Sequence, residues 1–257
     1  MLDYIKELVL AAGDKTVEKS YGIADSQLKF KNDKDLVSAV DQEVEHFIID
    51  RIRERYPDHR FFGEETGKTA GSSEYCWVID PIDGTTSFVH GQPFYSVSVA
   101  LQKNSETILG VVYAPRLNEF FCSEKGAGTY LNGKKVTVSH RDKLGSSVLA
   151  TGFACLRAGK EDNNLKNFNR IVPELRGIRR FGSAALDLAY VSCGYLEGFW
   201  ELDLKLYDIA AGVLLVTEAG GTVSDFRGGN NYPDSGTAAT NGKIHNELLE
   251  LLDFRKE

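Results

Sequence analysis

Trp77-Val78-Ile79-Asp80-Pro81-Ile82-Asp83-Gly84-Thr85-Thr86-Ser87-Phe88 runs from apolar side chains straight into two acids, a glycine and three hydroxyl residues. The apolar part has the composition of a short buried strand over 75–80. Such a strand carries carboxylates, which are hard oxygen ligands, to the edge of a core. A glycine turn with free amides behind it can face an anion. The chemistry is therefore expected here, at a strand end.

Upstream, Leu2, Ile5, Leu8, Val9 and Ala12 at helical spacing predict an amphipathic helix over 2–20, closing near Gly22. Val40, Val44, Phe47, Ile48 and Ile52 predict a second helix that stops at Tyr56-Pro57, with Asp41 in its first turns beside the apolar stripe. After Phe61-Phe62, the run Gly63-Glu64-Glu65-Thr66-Gly67 and the small polar residues through 73 read as a mobile loop bearing two acids. Downstream, 95–101, 108–113, 120–123 and 129–138 read as antiparallel strands, with a turn at Asn132-Gly133.

From about residue 146 short strands (147–151, 178–181) alternate with helices (161–172, 183–193, 205–219). Gly228-Gly229-Asn230-Asn231 is a surface turn, and a closing helix covers 244–252. The fold class is therefore α+β passing into α/β. No Pro/Gly-rich linker intervenes, so one unit with two lobes is expected, an α+β lobe over 1–145 and an α/β lobe over 146–257.

A chain of 257 residues, 42% hydrophobic, can bury a sizeable core. Its net charge of −7 disfavours a nucleic-acid footprint and suits a site that collects cations. Cys76, Cys122, Cys155 and Cys193 are scattered without zinc spacing and read as reduced thiols. No segment approaches the ~20 apolar residues of a membrane span, and no signal peptide is recognisable, so a cytoplasmic protein is expected.

Four acids stand where apolar elements end: Glu64, Asp80, Asp83, and Asp208 amid Leu206, Tyr207, Ile209 and Ala210. Singly, each has an ordinary reading as a turn former or helix cap. Together, buried like charges repel and are tolerated chiefly when a cation neutralises them. An all-oxygen donor set favours Mg²⁺, Mn²⁺ or Ca²⁺ over zinc or copper, and Mg²⁺ commonly shares a phosphate with few protein ligands. Gly84-Thr85-Thr86 could supply amides for that phosphate. His90 reads as a polar loop residue, not a ligand.

Gly63-Glu64-Glu65, then 77–88, then Tyr207-Asp208-Ile209-Ala210-Ala211-Gly212 and Glu218-Ala219-Gly220-Gly221 resemble the inositol monophosphatase family in order and separation. So do Asp35-Leu36-Val37-Ser38-Ala39-Val40-Asp41 and Phe181-Gly182-Ser183-Ala184-Ala185, which extends the match over nearly the whole chain. The resemblance implies a layered αβαβα sandwich of the sugar-phosphatase type. It implies a Mg²⁺-dependent, lithium-sensitive phosphomonoesterase, usually a homodimer, that uses direct attack by a metal-activated water.

Carried over position by position, the resemblance assigns Glu64, Asp80 and the Ile82 carbonyl to one metal, and Asp80, Asp83 and Asp208 to a second. A third, weaker ion lies near Glu64, so two to three Mg²⁺ are expected, with Mn²⁺ a substitute and Ca²⁺ and Li⁺ inhibitors. Thr85 with Asp41 orients the water, and Glu64 competes as the base. Phosphate is expected on the Gly84 and Thr85 amides, with Asp83 and Lys29 beside it. The alcohol is expected against Gly182, Ser183, Ala184 and Glu201.

Tyr207, where the best-known members have tryptophan, and Lys205, in a substrate-variable segment, leave the metal motif intact and open the question of substrate. Arg179 and Arg180 could meet a second phosphate, a dimer partner or solvent. A small phosphorylated polyol or sugar is expected, myo-inositol 1-phosphate first. Fructose 1,6-bisphosphate, histidinol phosphate and 3′-phosphoadenosine nucleotides are the alternatives. A different reading, drawn from bacterial relatives, is a transcription-associated binding protein contacting that apparatus through protein surfaces, with phosphatase activity secondary.

Overall fold

The computed structural model describes residues 1–20, 28–32 and 35–252, with side chains for 1–20 and 39–252. Helix α1 (Leu2–Lys19) buries Ile5, Leu8, Val9 and Ala12, the stripe that its spacing predicts. The pair β1 (Leu28–Asn32) and β2 (Asp35–Ser38) leads into α2 (Ala39–Arg55), which stops just before Tyr56-Pro57, where proline disfavours helix in the preceding residue. Then come β3 (Arg60–Gly63), β4 (Gly67–Lys68), β5 (Tyr75–Asp83) and the short α3 (Thr85–Val89). An antiparallel meander follows: β6 (Ser96–Lys103), β7 (Glu106–Ala114), β8 (Glu119–Glu124), β9 (Gly128–Leu131) and β10 (Lys134–Val136). Its last hairpin turns on Asn132 and Gly133, both at positive φ as an Asn-Gly type I′ turn requires.

These strands form an eight-stranded sheet in the order β10-β9-β8-β7-β6-β5-β3-β4. One register in it decides where the acids meet. β3 runs parallel to β5, with Gly63 opposite Ile79, so both strands end at the same edge. The Glu64 amide donates to the Ile79 carbonyl at 3.1 Å, and Glu64 and Asp80 therefore leave the sheet side by side.

The second half contains β11 (Val148–Thr151), α4 (Ala154–Arg157), α5 (Leu165–Ile171), β12 (Gly177–Arg179), α6 (Ala184–Ser192), β13 (Gly198–Glu201), α7 (Leu206–Glu218), β14 (Thr222–Ser224), β15 (Thr237–Thr240) and α8 (His245–Leu251). Its sheet has the order β12-β11-β13-β15-β14. β11 is parallel to β12 and to β13, whereas β15 is antiparallel to β13 and β14. The three parallel strands end at one edge, which brings together the segments after Thr151 and Arg179 and the terminal Glu201. Open α/β sheets place ligand sites at such an edge.

Strand alternation sorts the core into layers. Trp77, Ile79, Val97 and Val99 face Ile5, Val9, Ile48 and Ile52 of α1 and α2. Val78, Ala100 and Phe121 face the opposite way, into a cluster with Leu188 of α6, Ile209 and Leu215 of α7, and Ala150, Phe199 and Ala239 of the second sheet. Leu149, Trp200 and Ala238 cover that sheet's other face with Ile171, Ile244 and Leu248. The sequence of layers is αβαβα, as the resemblance implies.

Three local expectations differ. Strand β5 does not stop at Asp80 but continues to Asp83 through an irregularity in its pairing with β6, so both acids belong to the strand. The stretch read as a mobile loop contains β4, two residues antiparallel to Phe62 and Gly63. The second half is a mixed sheet, because β14 and β15 return antiparallel, and their short polar and alanine-rich sequences carry little strand signal.

Candidate active site

The edge shared by β3 and β5 opens into a polar cavity of about 80 Å³. Glu64, Asp80, Asp83 and Asp208 line it together with the Gly84-Thr85-Thr86 turn, so the structure brings together the four acids singled out from sequence. Ligand oxygens of Asp80, Asp83 and Asp208 all lie within 4.8 Å of one another, as do those of Asp41, Glu64 and Glu65. Glu65 is thus a neighbour that sequence reading left unassigned. A larger cavity of about 550 Å³, between α7 and the β6–β7 hairpin, contains none of these acids.

Each acid is aimed by its backbone. Asp80 is 1% exposed, and its Oδ1 accepts the Ile82 amide at 3.1 Å. Asp83 Oδ2 accepts the Ser183 hydroxyl at 2.7 Å and the Ala185 amide at 2.6 Å, which pins the acid to the N-terminus of α6. Asp208 caps α7 by accepting the Lys205 amide at 2.5 Å, a use that leaves it further acceptor sites.

Gly84 joins strand to helix at φ 97°, a left-handed conformation, and a Cβ there would lie 3.0 Å from the Phe94 carbonyl and 3.1 Å from the Gly182 carbonyl. Only glycine fits this turn without strain. Behind it, Thr85 Oγ1 lies 3.3 Å from Asp41 Oδ1 and 3.2 Å from the Ile82 carbonyl. The single hydroxyl proton serves one of these acceptors, and the lone pairs stay available to a water. Asp41 is 1% exposed, so α2 presents it as a buried partner for Thr85.

One turn further along α2, Glu45 is fully buried and accepts the amides of Glu65 at 2.9 Å and Thr66 at 2.8 Å. Gly63 permits this approach, since a Cβ there would meet Glu45 Oε1 at 2.2 Å. Glu45 therefore fixes the turn that carries Glu64. Glu45→Ala is expected to lower stability by about 1–3 kcal/mol for each amide left without an acceptor. Denaturant melting checks this, and a loss below about 0.5 kcal/mol would mean that water replaces the carboxylate at no cost.

The electrostatics show which kind of group the site suits. Burial raises Asp80 well above the usual carboxylate range, and repulsion from Glu64, Asp83, Asp208 and Asp41 adds to it. Burial raises Asp83 to about 6, against the lowering effect of its bonds to Ser183 and the α6 amides. Asp208 is raised by burial and then chiefly by Asp83. Two buried and two half-buried carboxylates that repel one another, with oxygen the only donor, fit a hard divalent cation. Asp80, Asp83, Asp208 and Glu64 are the residues that would hold it.

Gly182 and Ala184 line a second cavity that shares Asp83, Arg157, Arg180, Gly182 and Asp208 with the first and has Glu201 in its wall. Glu201 is 6% exposed, not an open strand-end acid, and its Oε1 accepts the Ala154 amide at 2.9 Å. Burial raises it to about 7, opposed by that bond and by Arg157 and Arg180. Ser183, fully buried, links Asp83 to Ser96, whose hydroxyl is 3.1 Å away. Lys29 lies on β1, and its side chain falls outside the described residues.

The inositol monophosphatase family model matches residues 3–257. The chain belongs to the inositol monophosphatase family. It is accordingly a phosphatase of a metal-dependent class. It is 38% identical over 255 residues to an inositol-1-monophosphatase of Mesorhizobium japonicum, covering 98% of this chain and 96% of that protein. It is 44% identical over 228 residues to the Nus factor SuhB of Pseudomonas aeruginosa, covering 86% and 84%. The crystal structure of extragenic suppressor protein suhB from Bartonella henselae superposes with a TM-score of 0.92 at 37% identity, covering 97% of each chain.

The other residues singled out from sequence lie in different places. His90 is exposed at the end of α3 and belongs to neither acid cluster. Tyr207 packs edge-on against Phe62 at 5.6 Å, and Lys205 is exposed. Arg179 donates to the Ile178 carbonyl and is exposed, whereas Arg180 lines both cavities. Arg157 also lines both, and nothing in its local sequence marks it. All four cysteines are free thiols, two of them buried. No helix among the described residues is long and apolar enough to cross a membrane.

Proposed function

We propose that the protein hydrolyses a small phosphate monoester, myo-inositol 1-phosphate before others, with Mg²⁺ as its cofactor. The observation that carries this reading is the convergence of Asp80, Asp83 and Asp208 within 4.8 Å beside the Thr85–Asp41 pair. When bound, the cations supply positive charge to the phosphate oxygens and acidify water. Asp80, Asp83, Asp208, Glu64 and the Ile82 carbonyl would hold them, and Glu64 would hold a third ion.

The Gly84 turn and the Thr85 amide cradle the phosphate, with Lys29 beside it. Thr85 positions the attacking water, and Asp41 receives its proton through the Thr85 hydroxyl. Attack in line forms the new P–O bond and breaks the ester bond; the departing alkoxide takes a proton from solvent water and Asp41 returns its proton to solvent, so phosphate and the free alcohol leave. Glu201, with the Gly182-Ser183-Ala184 backbone, accepts from and orients that alcohol. In this reading the protein works as a homodimer in the cytoplasm and is inhibited by Li⁺ and Ca²⁺.

Phosphate release from a panel of inositol 1-phosphate, fructose 1,6-bisphosphate, histidinol phosphate and 3′-phosphoadenosine nucleotides, with and without Mg²⁺, tests the reading. Release from none of them abandons it, and a preference for another member of the panel moves the substrate. A protein-contact role in transcription rests on the Nus factor name of relatives alone. Complementation by a metal-site variant without turnover would favour it.

Affinity for Mg²⁺ should rise with pH. Burial raises Asp83 to about 6 and shifts Asp80 and Asp208 in the same direction, so protons compete with the cation for Asp83 below and around pH 6. The apparent Mg²⁺ activation constant is expected to fall about tenfold for each pH unit per proton displaced, through the range 5 to 6. A constant independent of pH across 5 to 8 contradicts this.

A further inference from the structure

Arg157 and Arg180 reach the site from the edge where the parallel strands of the second sheet end. Arg157 closes α4, the helical turn after β11, and Arg180 follows β12, whose parallel register sets Arg179 opposite Ala150 of β11. Among the described residues they are the only cationic side chains that line either polar cavity. Neither makes a hydrogen bond or an ion pair with a described residue. A guanidinium stays charged and carries five donors, so both have donors to offer a ligand.

Their position decides what they would meet. The Gly84-Thr85-Thr86 turn, Glu64 and Asp80 line only the first cavity, and Gly152, Ala154 and Glu201 line only the second. An ester with its phosphate on the first set and its alcohol on the second has its scissile P–O bond beside the groups common to both, which are Asp83, Asp208, Gly182 and the two arginines. As that bond breaks, negative charge grows on the bridging oxygen, and donors aimed at such charge stabilise the transition state. The two acids repel it, whereas the arginines attract it. A second anionic group of the substrate is the rival occupant, and Glu201 and Asp187 in the same walls disfavour it.

The two arginines are not equivalent. Arg157 is half-buried and acts through space on Asp83, which also lines the phosphate cavity, and on Glu201, in the wall of the other. Arg180 is exposed and acts on Glu201 and Asp187, which line the second cavity alone. It lies across the Gly182 turn, where a Cβ would stand 2.4 Å from its Nη1. Arg157 thus spans the seam between the cavities, and Arg180 flanks the alcohol.

We propose that Arg157 is a catalytic residue that donates to the oxygen between phosphorus and the alcohol as the P–O bond breaks. This rests on the reading above, in which phosphate lies on the Gly84 turn and the alcohol against Glu201. The electron pair of the broken bond stays on that oxygen. Arg157 gives up no proton. It holds the alkoxide until solvent water protonates it, and ends the step unchanged.

The test is a ratio, measured on the Mg²⁺-loaded full chain. It divides kcat/KM for the ester that the wild type hydrolyses best by kcat/KM for the same ester with sulfur in place of the bridging oxygen. Sulfur accepts hydrogen bonds weakly and a thiolate departs with little help, so the sulfur ester has little use for the donor. Arg157→Met, which keeps the apolar stem without donors, is expected to lower the ratio about 10- to 100-fold, the contribution of one hydrogen bond to a charged oxygen. If Arg157→Met does not fold, Arg157→Ala is read in its place.

A fall of less than about tenfold overturns the proposal, because one such hydrogen bond exceeds that margin. A structural defect, a lost contact to a ring hydroxyl or a lost contact to a second anionic group slows both esters alike and leaves the ratio, so each of these also overturns it. A wild type that releases phosphate from no ester of the panel overturns the reading beneath. A wild type that turns over both esters, with a variant that keeps their ratio, overturns the role of Arg157 alone.

Discussion

Asp80→Asn is expected to lower kcat at saturating Mg²⁺ by at least about 10³-fold, and at the same time to raise the melting temperature of the metal-free protein. The first effect follows from the place of Asp80 in the cluster. It is the acid on which Glu64, Asp83, Asp208 and Asp41 all act. If Asp80 holds the cation as proposed, its loss removes a ligand from a charge clamp that contributes several kcal/mol, and ~4 kcal/mol is about three decades in rate.

The second effect has the opposite sign for the same reason. Without a cation, the Asp80 charge is opposed first by burial and then by four neighbouring acids. An amide of the same shape keeps the bond from the Ile82 amide to Oδ1 and discards the repulsion. Melting in EDTA should therefore show the variant above wild type by about 2–4 °C for each kcal/mol relieved. Added Mg²⁺ should raise wild type much more than the variant. A variant that melts lower in EDTA, or keeps a tenth of wild-type kcat, would falsify the assignment.

Stability of the metal-free protein should fall as pH rises through the range in which these buried acids ionise. An acid whose folded pKa is raised binds more protons in the native state than in the unfolded one, so stability falls as pH rises between the two values. For Asp83 that window runs from about 4, the ordinary carboxylate value, to about 6. For Glu201 it runs to about 7. Metal-free protein should lose stability across it, and the cation should restore the part belonging to Asp83.

Much of this site was legible because each acid follows an apolar run, a pattern set by short-range chemistry. Asp80 and Asp83 follow Trp77-Val78-Ile79, and Asp208 opens the apolar α7. What spacing alone did not show is the parallel register of β3 on β5 that sets Glu64 beside Asp80, since register is a long-range property of the sheet. Glu45 and Asp187 were readable in principle. Glu45 sits one turn from Asp41 on the stripe of Val44, Ile48 and Ile52, and Asp187 interrupts an otherwise apolar helix. A buried acid on an apolar face is the signal, and it is easily passed over when a stronger motif lies nearby. Arg157 could be found only from the fold, because α4 reaches the cavity through the junction after β11.

Thr85→Ala should reduce kcat about 10²- to 10³-fold with little change in Mg²⁺ affinity, which separates it from the ligand variants. Thr85 Oγ1 is within reach of Asp41 and of the Ile82 carbonyl, but the threonine is not among the clustered acids. Removing its hydroxyl leaves the carboxylates untouched and takes away the group proposed to aim the water. If Thr85 and Asp41 act as one relay, Asp41→Asn should cost a similar factor, and the double variant should be no slower than the worse single one. If Glu64 is the base instead, Thr85→Ala should cost less than about tenfold, and the two losses should multiply. The double-mutant cycle therefore decides between two bases that share one cavity, a choice the position of Glu64 beside Asp41 leaves to kinetics.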